Sequence, residues 1–92
     1  MWYHPGMHKR HQKVMDDILQ KPDRRDIQWN DFMTLMSALG AEIAERGGSM
    51  VGLRLNGRYA VFHKPHPSNE IYLSDLKRIR RFLREAGVTK DE

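Results

Sequence analysis

The stretch that decides the fold runs from residue 49 to residue 63 and reads SMVGLRLNGRYAVFH. At its centre, Asn56-Gly57 is the strongest short-range signal for a two-residue hairpin turn. Such a turn pairs Leu55 with Arg58, and the pairing then continues along both strands. One side of the hairpin therefore carries a core face: Val51, Leu53, Leu55, Arg58, Ala60 and Phe62. The side chains that remain form an open face: Met50, Gly52, Arg54, Tyr59, Val61 and His63.

On the open face, this register places Met50 opposite His63 and Arg54 opposite Tyr59. Every one of these pairs depends on the turn assignment, because a slip of one residue moves all side chains to the other face. The register is therefore a specific prediction that a structure can test.

Other elements flank the hairpin on both sides. Residues 41–46 form a short strand that the Gly47-Gly48 turn joins to the hairpin. A helix from Gln28 to Leu39 precedes it, with Ile27 and Phe32 spaced as a hydrophobic staple and Gly40 as its cap. The last helix begins with Ser74 as N-cap and ends at Gly87. These elements predict an α+β fold of order α-β-β-β-α, with a three-stranded antiparallel sheet and the helices on one face.

An extra helix is predicted over residues 8–20, where Val14, Met15, Ile18 and Leu19 make an apolar stripe. Residues 1–7 are expected to be a frayed N-terminus, residues 8–88 a single domain and residues 89–92 a tail. Ninety-two residues suffice for one domain with a thin core. The helix at 8–20 is an addition to the α-β-β-β-α unit.

The composition excludes several classes of protein. Cysteine is absent, which excludes disulfide frameworks and thiolate metal sites. No stretch approaches the roughly 18 apolar residues of a membrane span, and the first residues lack the apolar run of a signal peptide. No Gly-rich phosphate loop occurs. We therefore expect a cytoplasmic protein that needs neither a cofactor nor a metal.

The charge is unevenly distributed along the chain. The net charge is +4, and residues 1–47 contribute nothing to it, because seven Lys/Arg balance seven Asp/Glu. Residues 48–92 hold nine Lys/Arg against five Asp/Glu. This asymmetry favours a polyanionic partner for the second half, although a solvated basic helix would have the same composition.

Two histidines are candidates for chemistry. His63 ends a strand on the open face, and His66 lies between two prolines. An imidazole can both accept and donate a proton near neutrality. RNA cleavage needs little more, because the 2′-hydroxyl is an internal nucleophile. The alternative is that both are ordinary polar residues, at a strand end and in a loop.

Basic and aromatic side chains could bind the rest of an RNA chain. The last helix presents a basic row that faces out or along its rim, comprising Lys77, Arg78, Arg80, Arg81 and Arg84. Arg54 is a further cation for phosphate. Tyr59 beside it offers a stacking plane for an unpaired base, or else serves as a cross-strand packing partner.

Several segments together resemble the HicA toxins of bacterial toxin–antitoxin systems. They are Gly48-Ser49 in a strand turn, a hairpin, Phe62-His63-Lys64-Pro65-His66-Pro67, and a basic helix ending Ala86-Gly87-Val88. Ile27-Gln28-Trp29 and Leu39-Gly40-Ala41-Glu42 are similar to one branch of that family, and the likeness runs from about residue 12 to Val88. The resemblance implies a metal-independent endoribonuclease that cleaves mRNA, with a fold like that of double-stranded-RNA-binding domains (dsRBD-like). It also implies a HicB-like antitoxin as partner, with oligomers only in that complex.

One position departs from the family pattern. The family's Gly-Ser-His motif supplies its catalytic histidine, sometimes one place later, whereas here Gly48-Ser49 is followed by Met50 and Val51. Methionine cannot transfer a proton. Because His63 lies opposite Met50 on the same face, it is the first candidate for a relocated catalytic imidazole. His66 is similar to the histidine of the family's strand-end motif and is the second.

The hypothesis is a HicA-like toxin in which His63 and His66 are catalytic. RNA would be held by Ser49, Arg54, Tyr59, Lys64, Lys77, Arg78 and Arg81. Two alternatives stay open, a non-catalytic RNA-binding module of the same fold and a protein-interaction domain. Salt-dependent RNA binding without cleavage would favour the first alternative, and no RNA binding would favour the second.

Overall fold

In the computed structural model, residues 8–20 and 26–88 are described. They form three helices and three strands in the order α1 (Lys9–Leu19), α2 (Trp29–Ala38), β1 (Glu42–Glu45), β2 (Met50–Leu55), β3 (Arg58–His63) and α3 (Leu73–Glu85). The predicted α+β fold of order α-β-β-β-α, preceded by an extra helix, is confirmed. The predictions for residues 1–7 and 89–92 lie outside the described residues.

The three strands form one antiparallel sheet in the order β1-β2-β3. Asn56 and Gly57, at the turn between β2 and β3, both have positive φ. A type I′ turn requires positive φ at both of its central residues. Leu55 pairs with Arg58, and the pairing continues to Met50 with His63. The register predicted from the Asn-Gly turn is therefore confirmed along the whole hairpin.

One face of the sheet packs against the helices. Val51, Leu53, Leu55 and Phe62 belong to the same core cluster as buried residues of all three helices. Aromatic rings cross this core in edge-to-face contacts, which favour stability beyond the area that they bury. The centroids of Phe32 and Phe62 lie 6.1 Å apart, and those of Phe62 and Phe82 lie 6.0 Å apart. The opposite face of the sheet carries no described helix, and on it Arg54, Tyr59 and His63 are exposed while Met50 and Val61 are half-buried.

Two boundaries differ from the sequence prediction. Helix α3 begins at Leu73 with Tyr72 as N-cap, and no side chain caps it. Ser74, the predicted N-cap, therefore lies inside the first turn. At α2 the N-cap is Gln28, as predicted, but the capping bond comes from a distant residue, because Asn30 N–H donates to Asn69 Oδ1 at 3.1 Å.

The basic row of α3 is also not uniform. Arg80, predicted to face out or along the rim, is 9% exposed. Its Nε donates to the backbone oxygen of Ile18 at 2.7 Å, and its Nη2 donates to that of Gln20 at 3.1 Å. The guanidinium thus satisfies carbonyl groups at the end of α1, where a helix leaves its acceptors unpaired. Arg80 fastens α1 to α3 and is not part of a basic surface.

Candidate active site

The open face of the β2–β3 hairpin holds the central part of the candidate site. Val51 and Phe62 point into the core, with 6% and 1% exposure. Because side chains alternate along a strand, their neighbours Met50 and His63 lie on the opposite face. His63 is exposed there, and Met50 is half-buried. The structure thus brings His63 to the strand position directly across from Met50.

Tyr59 lies across the sheet on the same face. A Cβ atom at position 52 would stand 2.5 Å from Tyr59 Oη and 3.1 Å from its Cζ, so the ring reaches over Gly52. The ring is still 43% exposed. Glycine at position 52 is therefore what permits the aromatic ring to rest on the backbone of β2.

Two arginines flank this tyrosine. The guanidinium carbon of Arg46 lies 5.7 Å from the ring centroid, and that of Arg54 lies 5.3 Å from it. Both distances are within the range of cation–π contact. Arg46 Nη2 also donates a hydrogen bond to Tyr59 Oη. We call Arg46, Gly52, Arg54 and Tyr59 the tyrosine platform.

Arg54 has a second neighbour on β1. Its Nε lies 3.7 Å from Glu42 Oε1. Both side chains are exposed, and an exposed ion pair contributes little stability. Arg54 can therefore exchange this carboxylate for another anion at little cost.

Sequence reasoning singled out Arg54 and Tyr59 and placed Gly52 on the same face without a role, but it missed Arg46. Arg46 lies just beyond β1, and its backbone N–H donates to Met50 O at 2.8 Å, which continues the β1–β2 ladder by one residue. Only the pairing of β1 with β2 brings it across the face. The alternation of β1 could have suggested this position, because Glu42, Ala44 and Arg46 share one side of that strand.

Ser49 and Lys64 meet at the end of the sheet next to His63. Lys64 N–H donates to Ser49 O at 2.7 Å, which extends the hairpin ladder. Both line a shallow depression of about 140 Å³ together with Glu45, Gly48, Met50 and Val51. The depression thus includes Met50, the residue that follows Gly48-Ser49.

His66 lies in the loop that follows β3 and is exposed. The Tyr72 hydroxyl accepts from His66 N–H and donates to His66 O, both at 3.4 Å, which holds the backbone of this residue. Neither His63 nor His66 has a side-chain hydrogen bond within residues 8–20 and 26–88. Both imidazoles are therefore accessible to a ligand.

The predicted cations of α3 do not lie on the open face. Lys77, Arg78 and Arg81 are exposed on the helix, which packs on the opposite side of the sheet. Arg78 approaches the edge of β3, where its Nη2 donates to Val61 O at 2.9 Å and its guanidinium covers the Phe62 ring at 4.7 Å. The structure therefore divides the predicted residues into an open-face group and an α3 group.

No metal-binding group of three His, Asp or Glu side chains occurs in the described part of the chain. None of its helices has the length and apolarity needed to cross a membrane. Neither finding adds a residue to the candidate site.

The comparisons with known proteins bear on this arrangement. Searches among curated proteins and among solved structures gave no match. A family model described as the HicA toxin of bacterial toxin–antitoxin systems matches residues 29–88, which span more than half of the chain. The match begins at α2 and includes the whole sheet, the loop with His66 and α3, whereas α1 precedes it. The chain therefore belongs to the HicA family of toxins, which pair with an antitoxin.

Proposed function

We propose that this toxin is a metal-independent endoribonuclease that cleaves mRNA on the open face of the hairpin. The single observation that carries the proposal is the exposed His63 directly across from Met50. Cross-strand Cβ atoms lie about 5 Å apart. An imidazole at position 63 can thus serve nearly the same place as one at position 50, where the family has its histidine.

The chemistry needs an acid, a base and cations. His63 accepts the proton of a 2′-hydroxyl, and the resulting oxygen attacks the adjacent phosphorus. The bond from phosphorus to the 5′-oxygen breaks, which leaves a 2′,3′-cyclic phosphate and a 5′-hydroxyl. The departing oxygen takes its proton from an imidazolium, for which His66 is the second residue. Ser49 and Lys64, which meet at the end of the sheet next to His63, would hold the phosphate.

The tyrosine platform would hold the neighbouring RNA. Tyr59 lies four residues from His63 along β3, which is about 13 Å in a strand. An unpaired base stacked on Tyr59, with phosphates near Arg46 and Arg54, would place the next part of the backbone near His63. Helix α3 lies on the other side of the sheet, beyond the edge of β3. Its cations would attract the phosphates of the RNA electrostatically, and they are Lys77, Arg78 and Arg81.

A HicB-like antitoxin is the partner that we propose for this toxin, and the cytoplasm is its site of action, because mRNA is there.

A second candidate function is RNA binding without cleavage. The presence of Met50 in the family's histidine position favours RNA binding alone. A face that keeps its cations but lacks a general base would bind RNA without cleaving it.

The test is cleavage of a single-stranded RNA by the purified chain in excess chelator. We expect His63→Ala to lower the rate about 10²- to 10⁴-fold, the usual contribution of a general acid–base group. His11→Ala is the matched control, because His11 lies on α1, which contacts α2 and α3 rather than the sheet. The cleavage rate of His66→Ala measures how much the second imidazole contributes to the reaction.

A second substitution, at position 50, tests whether the open face is the reaction centre. Met50→His restores the family's Gly-Ser-His motif, and in the His63→Ala background it should recover cleavage if this face is the reaction centre. A parent that binds RNA without cutting it, and gains cleavage through Met50→His, would identify a silenced nuclease. Cleavage that survives His63→Ala and His66→Ala together would refute both assignments.

A further inference from the structure

Strand β3 has one edge that pairs with no described strand. It is the outer strand of the sheet, and the two-residue turn makes Leu55 and Arg58 a hydrogen-bonded pair. Hydrogen-bonded and non-bonded pairs alternate in an antiparallel ladder. Tyr59, Val61 and His63 therefore direct their backbone groups away from β2. The bond from Arg78 to the outward Val61 oxygen agrees with this assignment.

A groove of about 270 Å³ runs beside this edge, between β3 and α3. Its apolar lining comes from Ala60, Phe62 and Phe82. Its charged lining is Arg58, Arg78, Arg81 and Glu85, which is three cations against one anion. The groove adjoins the tyrosine platform at Tyr59, which lines it, whereas Arg46, Gly52 and Arg54 do not.

The three arginines of the groove differ in the hydrogen bonds and ion pairs that they already make. Arg58 Nε donates to Glu85 O at 3.4 Å, and Arg78 is shared between Val61 O and Asp75 Oδ1, the latter at 3.5 Å. Arg81 has no hydrogen bond or ion pair within residues 8–20 and 26–88. The groove thus combines an apolar lining and a net positive charge with a strand edge that pairs with no described strand and whose Val61 oxygen accepts from Arg78.

We infer that this groove binds an extended segment of a partner protein, in which carboxylate side chains alternate with apolar ones. Such a segment would add a fourth strand beside β3 and hydrogen-bond the outward groups of Tyr59, Val61 and His63, replacing Arg78 at the Val61 oxygen. Its apolar side chains would cover Phe62 and Phe82, and its carboxylates would meet Arg81 and Arg78. The inference rests on the pairing of this toxin family with an antitoxin and not on RNA cleavage.

The same observations favour a protein over RNA at this place. Backbone N–H and C=O groups that repeat at every second residue match the backbone of another strand. Phosphates would satisfy the arginines but would leave the apolar lining uncovered. An alternating acidic and apolar segment satisfies the cations, the apolar lining and the edge together.

The experiment is a selection from a displayed library of random nine-residue segments on the intact chain, with counter-selection on the Arg81→Glu variant. Arg81→Glu reverses one unpartnered charge in the groove. Arg84→Glu is the matched control, because Arg84 is an exposed residue of the same helix that does not line the groove. We expect enriched segments with alternating carboxylate and apolar residues, which bind at least about tenfold more weakly to Arg81→Glu and unchanged to Arg84→Glu.

Amide chemical shifts then locate the bound segment. Support requires changes at Tyr59, Val61 and His63 and not at Ile43 in β1. Failure to enrich such segments, equal binding to both charge-reversal variants, or shifts confined to another surface would overturn the inference.

A parallel titration with a single-stranded oligoribonucleotide separates this inference from the proposed function. RNA that perturbs the groove while segments do not would make the groove an RNA surface and would also overturn it. Loss of RNA cleavage has no bearing on segment binding, so the two proposals can fail independently.

Discussion

At the scale of single residues, Gly52 and Tyr59 form a coupled pair. Position 52 is a strand interior, where glycine costs stability and has no side chain to pack. The structure supplies the reason for glycine here, because the end of the Tyr59 ring occupies the space that a Cβ atom would take. The sequence shows an unusual glycine in an otherwise regular strand, but only the diagonal contact across the hairpin explains it.

The substitution Gly52→Ala tests this coupling. The added methyl group would stand 2.5 Å from Tyr59 Oη, so the ring must shift and its hydrogen bond with Arg46 cannot keep its present geometry. We expect weaker binding of single-stranded RNA, by up to the roughly 1–3 kcal/mol that base stacking on an aromatic ring contributes. Binding is measured by fluorescence anisotropy with a labelled oligonucleotide.

A double-mutant cycle supplies the control. In a Tyr59→Ala background, the ring that conflicts with the new methyl group is gone, so Gly52→Ala should have little further effect on affinity or stability. Equal effects in both backgrounds would mean that Gly52 acts through the backbone of β2 and not through Tyr59.

At the scale of elements, the accuracy of sequence reasoning followed the range of the interactions. Asn56-Gly57 determines the hairpin locally, since both residues tolerate positive φ, and the whole register followed from it. Ser74 was wrong as the N-cap of α3 because α3 starts one residue before it, at Leu73, with Tyr72 as N-cap. The cap of α2 could not be foreseen, because its acceptor is the side chain of Asn69, 39 residues away from Asn30.

Arg80 is an intermediate case. It lies four residues after Leu76 and three before Leu83, which places it on the buried stripe of α3. That spacing was a signal in the sequence that the basic composition of the helix obscured. What the spacing alone could not supply is the partner, the C-terminal carbonyl groups of α1, because that contact joins residues far apart in the chain.

The substitution Arg80→Met tests whether Arg80 fastens α1 to α3. Methionine keeps an unbranched apolar stem but donates no hydrogen bond to Ile18 O or Gln20 O. Since buried hydrogen bonds from charged groups contribute about 1.5–3 kcal/mol, we expect a fall of that order in the free energy of unfolding, measured by urea denaturation. Hydrogen exchange should quicken first in α1.

Arg84→Met is the matched control for Arg80→Met. Arg84 is exposed and lies in the last turn of the same helix. Its loss should change the free energy of unfolding by only about 0.5 kcal/mol or less, as is usual for surface substitutions. Similar losses in the two variants would show that the charge of α3, and not the contact with α1, was responsible.

At the scale of the whole molecule, the family match separates α1 from the rest of the chain. The family match begins at α2, and the candidate site and the groove both lie within residues 29–88. Helix α1 adds Met15 and Ile18 to the core, both fully buried, and packs against α2 and α3. We expect α1 to stabilise the fold on the side of the sheet where the helices lie. We expect the partners of the toxin to bind the open face and the edge of β3.

This division predicts how RNA affinity depends on salt. Each cation that neutralises a phosphate of a single strand contributes about −0.7 to the slope of log Kobs against log salt concentration. Arg54→Gln should therefore make the slope shallower by about 0.7, because Arg54 lies on the open face beside Tyr59. Arg10→Gln removes the same charge from an exposed position on α1 and should leave the slope unchanged. Equal changes in slope would mean that RNA affinity depends on net charge alone, and this would refute the open face as the RNA-binding surface.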